Sequence, residues 1–190
     1  MTEALGQSLL IIARNAIAAA LEEPCRNYRD LPRLSQAGAT FVTLTRRGEL
    51  RGCIGSLEAT RPLRIDAQEN ARAAAFRDPR FAPLARYEVA DTTVEVSLLS
   101  ASEPLPADDE RHARALLRPG VDGVVLEFGS HRSTFLPQVW AQLPEPQQFL
   151  VHLKRKAGLP GDFWHESLRL SRYTVQKWRE STTDSAAATP

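Results

Sequence analysis

The sequence contains little cysteine and has almost no net charge. Cys25 and Cys53 are its two cysteines among 190 residues, too few for a disulfide framework. They could pair, but a reducing compartment is the simpler inference. The formal net charge is +1, which argues against the basic composition of proteins that bind nucleic acid through charge. We therefore expect no nucleic-acid partner.

Long apolar runs are also missing. No stretch approaches the roughly 20 apolar residues that a membrane-spanning helix needs. The apolar segment near the N-terminus is preceded by Glu3, where a signal peptide has basic residues, and it is interrupted by Arg14. We expect a cytoplasmic protein with no membrane association.

Several sequence patterns that carry known chemistry are absent. The chain has no phosphate-binding P-loop, no Gly-x-Gly-x-x-Gly fingerprint and no Gly-x-Ser-x-Gly elbow. Its four histidines are scattered without the short spacing of metal ligands, so we expect no metal site. His131 and His152 stay candidates to assist a cysteine nucleophile, although each is as readily a surface residue.

Periodicity predicts a mixed α+β chain. Apolar spacing predicts helices over 3–23, 62–77, 108–117 and 145–157, and alternation predicts strands over 39–45, 49–54, 92–99, 121–128, 131–136 and 168–178. Hairpins mixed with helices, without regular strand–helix alternation, indicate an α+β fold with a mostly antiparallel sheet flanked by helices. We expect a single domain over 1–180 and a disordered tail over 181–190.

The segment from Leu50 to Ser56 is the most unusual stretch. If it is extended, Arg51 and Cys53 lie on one face, where the guanidinium favours the thiolate by charge. Gly52 and Gly55 have no Cβ and leave room for a ligand or another backbone. The alternative is that Cys53 is an inert, buried small residue, as free cysteines often are.

Two other segments carry polar groups that could join this site. Glu95 and Ser97 share one face of the strand over 92–99. If that strand neighbours residues 50–55, Glu95 could act as a base for Cys53; a structural pair with Arg51 is the alternative. Asp78-Pro79-Arg80-Phe81 is predicted to be a rigid turn in which the acid forms a local ion pair with Arg80 or an Asx-type turn, and Phe81 could contact a ligand.

These motifs resemble those of the AMMECR domain family, whose prokaryotic members are protein A of the AmmeMemoRadiSam system. The resemblance spans roughly residues 5–178, and the Leu-Arg-Gly-Cys-Ile-Gly run is highly specific to the family. The matching segments, in family order, are Phe41–Leu44, Leu50–Gly55, Asn70–Ala71, Ala73–Phe76, Asp78–Phe81, Glu95–Ser100, Gly120–Gly123, Phe135–Val139 and Lys156–Leu159.

The resemblance implies an α+β fold with a large and a small lobe. It implies partners, a Memo-like protein and a radical-SAM protein, but it does not supply an established reaction, and neither the resemblance nor the residues identify a cofactor. It also implies that Leu50–Gly55 lines a cleft. Two features depart from the family: Lys154 stands where members often have a second cysteine, and Leu143–Pro146 replaces a Trp-Asp pair.

Two functions follow as hypotheses. The first is a regulatory or adaptor module that binds a partner or small effector in a cleft around the Leu50–Gly55 motif. The second is a thiol-dependent enzyme or enzyme subunit, with Cys53 as nucleophile, Arg51 as charge partner and Glu95 as base. The expected cleft residues are Gly52, Gly55, Ser56, Asn70, Arg80, Phe81 and Ser97.

Overall fold

The computed structural model describes residues 2–181. Four α-helices and ten β-strands lie in this part of the chain: α1 (Thr2–Ala20), β1 (Ala37–Gly38), β2 (Thr40–Arg46), β3 (Glu49–Gly55), β4 (Arg61–Pro62), α2 (Leu63–Phe76), β5 (Thr92–Leu99), β6 (Glu103–Pro104), α3 (Glu110–Leu116), β7 (Gly123–Phe128), β8 (His131–Phe135), α4 (Pro146–Lys156), β9 (Arg169–Tyr173) and β10 (Val175–Arg179).

The chain forms two compact units. Within the described residues, the first combines residues 2–99 with residues 176–181. Its main sheet has the strand order β10-β5-β2-β3, and β2 is antiparallel to both β3 and β5. Alternate apolar residues of β2 and β5 share one core with α1 and α2, and the buried members include Leu9, Ile12, Val42, Leu44, Leu63, Ala71, Ala74, Val94 and Val96.

Small side chains explain how closely α2 packs. Ala67, Ala71, Ala74 and Ala75 are all buried on the face that meets the core. Because alanine adds only a methyl group, the helix backbone can approach the sheet closely. This close approach fixes the environment of Gly52 on β3.

The second unit runs from Ser100 to Val175. Its sheet has the order β6-β9-β7-β8, with antiparallel pairing throughout, and α4 supplies Phe149, Leu150 and Leu153 to its core. The Trp140 ring stacks on Phe149 with centroids 3.8 Å apart. Lys154 is buried and its Nζ lies 2.9 Å from Glu110 Oε2.

The predicted α+β fold with mostly antiparallel strands is confirmed, but the last predicted strand is wrong. Residues 168–178 form two strands, of which β9 pairs with β7 and β10 pairs with β5 in the other sheet. The break lies at Thr174, whose N–H donates to Ser100 Oγ and whose carbonyl accepts from the Ser100 N–H. Side-chain alternation continues across the break, so the sequence carries no sign of it.

Two remaining expectations concern the ends and the membrane. The predicted tail over 181–190 lies outside the described residues, except for Ser181. Within residues 2–181, none of the helices combines the length and apolar character required to cross a bilayer.

Candidate functional site

The Leu50–Gly55 motif lies on β3, an edge strand of the first unit's main sheet. A two-residue loop, Arg47-Gly48, joins it to β2, with φ values of 52° and 88°. Two consecutive left-handed residues are typical of the hairpin turns whose twist matches that of the flanking strands. The predicted hairpin is thus confirmed, and its turn fixes the register of the motif.

A bulge changes the direction of Arg51. Leu50 is opposite Thr45 and Gly52 is opposite Leu44, so Arg51 is an extra residue on β3. Its guanidinium binds Glu88 through Nε and Nη2, at 3.0 and 2.8 Å. The simple alternation behind the predicted Arg51–Cys53 pairing therefore fails, and the cation of Arg51 is engaged by Glu88.

The space beside the two glycines is filled by the protein itself. A Cβ at Gly52 would lie 2.1 Å from the Ala74 carbonyl oxygen of α2. A Cβ at Gly55 would lie 2.2 Å from the Phe41 ring. Of the two expected neighbours, a ligand or another backbone, the second is confirmed at Gly52, where α2 packs on the strand; at Gly55 the space is taken by an aromatic ring rather than by a ligand.

Cys53 is held by the turn that follows α2. Its N–H donates to Asp78 Oδ2 at 2.9 Å, and its carbonyl accepts from Arg80 Nη2 at 3.2 Å. Arg80 also donates to both Asp78 oxygens, at 2.9 and 2.7 Å. The predicted Asp78–Arg80 pair exists, and because it occupies the outer backbone groups of Cys53, it blocks strand addition at that point.

The Cys53 thiol contacts Thr43 on the neighbouring strand. Cys53 is half-buried and Sγ lies 3.3 Å from the Thr43 hydroxyl on the neighbouring strand. Among the described residues, Thr43 is the hydrogen-bond partner of this sulfur. Arg80, rather than Arg51, is the cation next to Cys53, because Arg80 Nη2 binds the Cys53 carbonyl. The Arg80 side chain is 52% exposed.

Buried carboxylates organise the arginines around the motif. Glu88, on the 3-10 helix Arg86–Asp91, accepts from Arg51, from Arg46 Nη1 at 2.9 Å and from the Ala85 N–H at 2.9 Å. Its hydrogen bonds with Arg51 lower the pKa of Glu88 to about 2. The hydrogen bond with Arg80 likewise holds the pKa of Asp78 well below its usual range and raises the pKa of Arg80.

These depressed carboxyl pKa values predict an acid-sensitive first unit. A carboxyl whose pKa is lower in the folded state stabilises the fold above its unfolded pKa, and this contribution is lost as pH falls through the folded pKa. For Glu88 the window runs from its ordinary value of 4.5 down to about 2. We expect the free energy of unfolding, measured by urea titration, to fall across this window.

Glu88→Gln is the informative variant for this titration. It is expected to be less stable at neutral pH and to have a shallower loss below pH 4.5, since the titrating group is gone. Glu127→Gln, which removes a half-exposed carboxylate paired with Arg132, is the control and keeps the wild-type slope. An unchanged acid slope in Glu88→Gln contradicts the assignment.

A second polar cluster ties α2 to the start of β2. Asp66 is fully buried, and its Oδ2 accepts from the Thr40 N–H and hydroxyl, each at 2.7 Å, and from Asn70 Nδ2 at 2.9 Å. Its Oδ1 accepts from Ser56 Oγ at 2.7 Å and from Arg61 Nε at 2.9 Å. The predicted cleft residues Ser56 and Asn70 thus belong to this network, separate from the hydrogen bonds around Cys53.

The strand order separates Glu95 from Cys53. Thr43 of β2 is paired with Cys53 on one side and with Glu95 on the other, so β2 lies between them. Glu95 could act on Cys53 only if β5 and β3 were neighbouring strands, and they are not. Glu95 instead lies 3.6 Å from Lys177 Nζ. Ser97 is similarly separated from Gly55, by Phe41.

Three residues that organise the hydrogen bonds of this site were not predicted from the sequence: Thr40, Asp66 and Glu88. Asp66 had a usable signal, because it falls among the buried alanines of α2 where an acid is unexpected. Thr40 and Glu88 gave no such signal, because a threonine within a strand and an acid before a strand are both ordinary. Their roles depend on tertiary contacts.

Metal ligation is not supported in the described region. Within residues 2–181, no group of three or more histidines, cysteines and carboxylates is placed to hold a metal ion. His131, a candidate partner for the thiol, belongs to the second unit, where its Nδ1 lies 2.8 Å from the Ala157 carbonyl. The site is therefore a network of guanidinium–carboxylate pairs around an edge strand.

Comparison with known proteins identifies the class. The AMMECR1 family model matches residues 10–178, and the chain belongs to this family. A protein of Methanothermobacter thermautotrophicus is 42% identical over 182 residues, covering 92% of this chain and 94% of that protein. A protein of Aeropyrum pernix is 38% identical over 193 residues, covering 95% of this chain and 81% of that protein.

A solved structure agrees with the fold. The crystal structure of the uncharacterized protein PH0010 from Pyrococcus horikoshii superposes with a TM-score of 0.79 and 31% identity. The match covers 92% of this chain and 91% of that one. The α+β arrangement described above is thus that of an AMMECR1-type protein.

Proposed function

We propose that this AMMECR1-family protein is a non-catalytic regulatory or adaptor module, and that the surface around Leu50–Gly55 binds a partner or small effector. One observation carries the proposal: the charged groups around the motif are committed to structural bonds. Glu88 holds Arg51 and Arg46, while Asp78 holds Arg80 and the Cys53 backbone. A general base needs an available proton-accepting atom within hydrogen-bond reach of its nucleophile.

The arrangement suits binding because it is rigid and partly exposed. Carboxylates that are buried and multiply bonded fix the arginines and Cys53 in place, so little conformational freedom is lost on association. Tyr87 and Leu50 add exposed apolar surface, at 77% and 45%. The partners suggested by the family resemblance are a Memo-like protein and a radical-SAM protein.

A binding assay with purified proteins tests this function. We expect the full chain to capture the Memo-like or the radical-SAM protein encoded in the same genome, and Cys53→Ser to capture it equally well. Serine is slightly smaller than cysteine and its hydroxyl can still hydrogen-bond with Thr43, but it abolishes thiol chemistry. Loss of capture by a folded Cys53→Ser protein, or no capture by the wild type, contradicts the proposal.

The second candidate function is a thiol-dependent enzyme that uses Cys53. It is favoured by the partial exposure of Cys53 and by the half-exposed guanidinium of Arg80 bound to its carbonyl. This function predicts that iodoacetamide alkylates native Cys53 faster than the exposed Cys25, which serves as an internal control. Slower alkylation of Cys53 than of Cys25 counts against it.

A further inference from the structure

Three arginines lie on β3 or bind residues at or just beyond it, and each is paired with a buried carboxylate. Arg51 pairs with Glu88, Arg80 with Asp78 and Arg61 with Asp66. The carboxylate side chains are 8%, 2% and 1% exposed, while Arg80 and Arg61 are 52% and 36% exposed and Arg51 is 13% exposed. The acids are therefore inside, and the guanidiniums that a partner can meet are those of Arg80 and Arg61.

All three arginines use the same edge of the guanidinium for these bonds. Arg51 and Arg80 each bind their carboxylate through Nε and Nη2. Arg61 uses Nε for Asp66 and Nη2 for the Ser56 hydroxyl. A guanidinium is a planar fork with donors on both edges, so this pairing leaves Nη1 on the opposite edge in each case.

One of these outer donors is not available to a partner. Arg51 Nη1 is buried and has no hydrogen-bond partner among residues 2–181, and the Arg51 side chain is 13% exposed. The donors that a partner can reach are therefore those of Arg80 and Arg61.

The three arginines meet the strand at unequal intervals. Arg51 lies on β3, Arg80 binds the strand at Cys53, and Arg61 binds just beyond it at Ser56. At about 3.3 Å per residue, these points are roughly 7 and 10 Å apart along an extended chain. Side chains on one face of an extended peptide recur at about 7 Å, which is close to the first interval and shorter than the second.

Apolar surface accompanies the cations. The Phe81 ring lies 5.9 Å from the Arg51 guanidinium carbon and 5.4 Å from that of Arg80. The exposed Tyr87 ring lies 5.7 Å from the guanidinium carbon of Arg46. Alternating cationic and apolar surface is complementary to a peptide that alternates acidic and apolar side chains.

We propose that the β3 edge binds an acidic peptide segment of a protein partner, with Arg80 and Arg61 receiving its carboxylates. The proposal rests on the binding function proposed above and specifies the chemistry of the partner. A protein ligand is favoured over nucleic acid because the net charge of the whole chain is +1, too small for polyanion binding driven by counterion release.

The test uses the full chain and a fluorescent short peptide in which glutamate alternates with leucine. We expect binding at low salt that weakens as salt rises, because exposed charge pairs are screened. Replacing every peptide glutamate with glutamine should abolish binding. This comparison leaves the protein unchanged, so it is independent of any folding defect.

Protein variants then locate the site. Arg80→Gln and Arg61→Gln should each weaken peptide binding about tenfold, the effect of losing about 1.4 kcal/mol of interaction. Arg80→Lys keeps the charge and should retain more binding than Arg80→Gln. The matched control is Arg132→Gln, since Arg132 is 45% exposed and paired with Glu127 in the second unit.

Each outcome decides the proposal. Binding that depends on glutamate, on Arg80 and on Arg61 supports it. No binding at low salt, equal binding of the glutamine peptide, or an equal loss in Arg132→Gln overturns it. Tighter binding of a single-stranded oligonucleotide that needs the same arginines also overturns it. If the family partners are captured but the peptide fails, the acidic-peptide inference alone is wrong.

Discussion

Gly52→Ala is expected to destabilise the first unit by about 3 kcal/mol, the upper part of the usual range for overpacking. The added Cβ would lie 2.1 Å from the Ala74 carbonyl oxygen, which is backbone within α2. Relief requires the helix and the edge strand to separate, and this exposes the alanine face that joins them. Urea unfolding of the purified variant measures the loss.

Gly129→Ala is the control for this substitution. Gly129 has φ +57°, and within residues 2–181 no neighbouring atom lies within 4 Å of the point that an alanine methyl would occupy. Alanine therefore meets only backbone strain there, which costs about 1 kcal/mol. If Gly52→Ala unfolds at the wild-type urea concentration, the contact between β3 and α2 is looser than described and the glycine has room to spare.

Asp66→Ala is expected to lower the free energy of unfolding by about 4 kcal/mol, because removing one partner from a buried charged network costs about that much. The Thr40 N–H, the Asn70 amide and the Ser56 hydroxyl all donate to this carboxylate. Without it, buried donors lose their acceptor and the Arg61 guanidinium loses its counter-charge. Thermal unfolding followed by circular dichroism measures the effect.

Glu69→Ala is matched to this variant on the same helix. Glu69 is 41% exposed and lies 3.4 Å from the exposed Arg77, an arrangement that contributes little stability. Its removal should change the free energy of unfolding by no more than about 0.5 kcal/mol. Equal losses in the two variants contradict a special role for Asp66.

The fold was largely predictable because its helices and strands have strong local patterns. The helical spacing of α1 and α2, the alternation of β5 and the turn at Arg47-Gly48 each specify their own structure. The switch of sheets at Thr174 was not predictable, since it depends on two hydrogen bonds with Ser100, which is distant in sequence. Local patterns do not encode such pairings.

The candidate site was predictable only in part. Arg80, Phe81 and the Cys53 strand do come together, as the motifs suggested. The bulge at Arg51 and the position of β2 between β3 and β5 could not be predicted from the sequence. Side-chain alternation indicates which face of a strand a residue occupies, but not which strands are neighbours. The role of Gly52 was hidden for a related reason: a glycine in a strand indicates a close approach without naming what approaches.

The central claim is that the edge formed by β3 and its arginines is where a partner binds. Hydrogen–deuterium exchange of the full chain, alone and with the Memo-like or radical-SAM protein, tests this directly. We expect slower exchange in Leu50–Ser56 and Asp78–Glu88 when the partner is bound. Partner-induced protection confined to the second unit, between Ser100 and Val175, would contradict the claim.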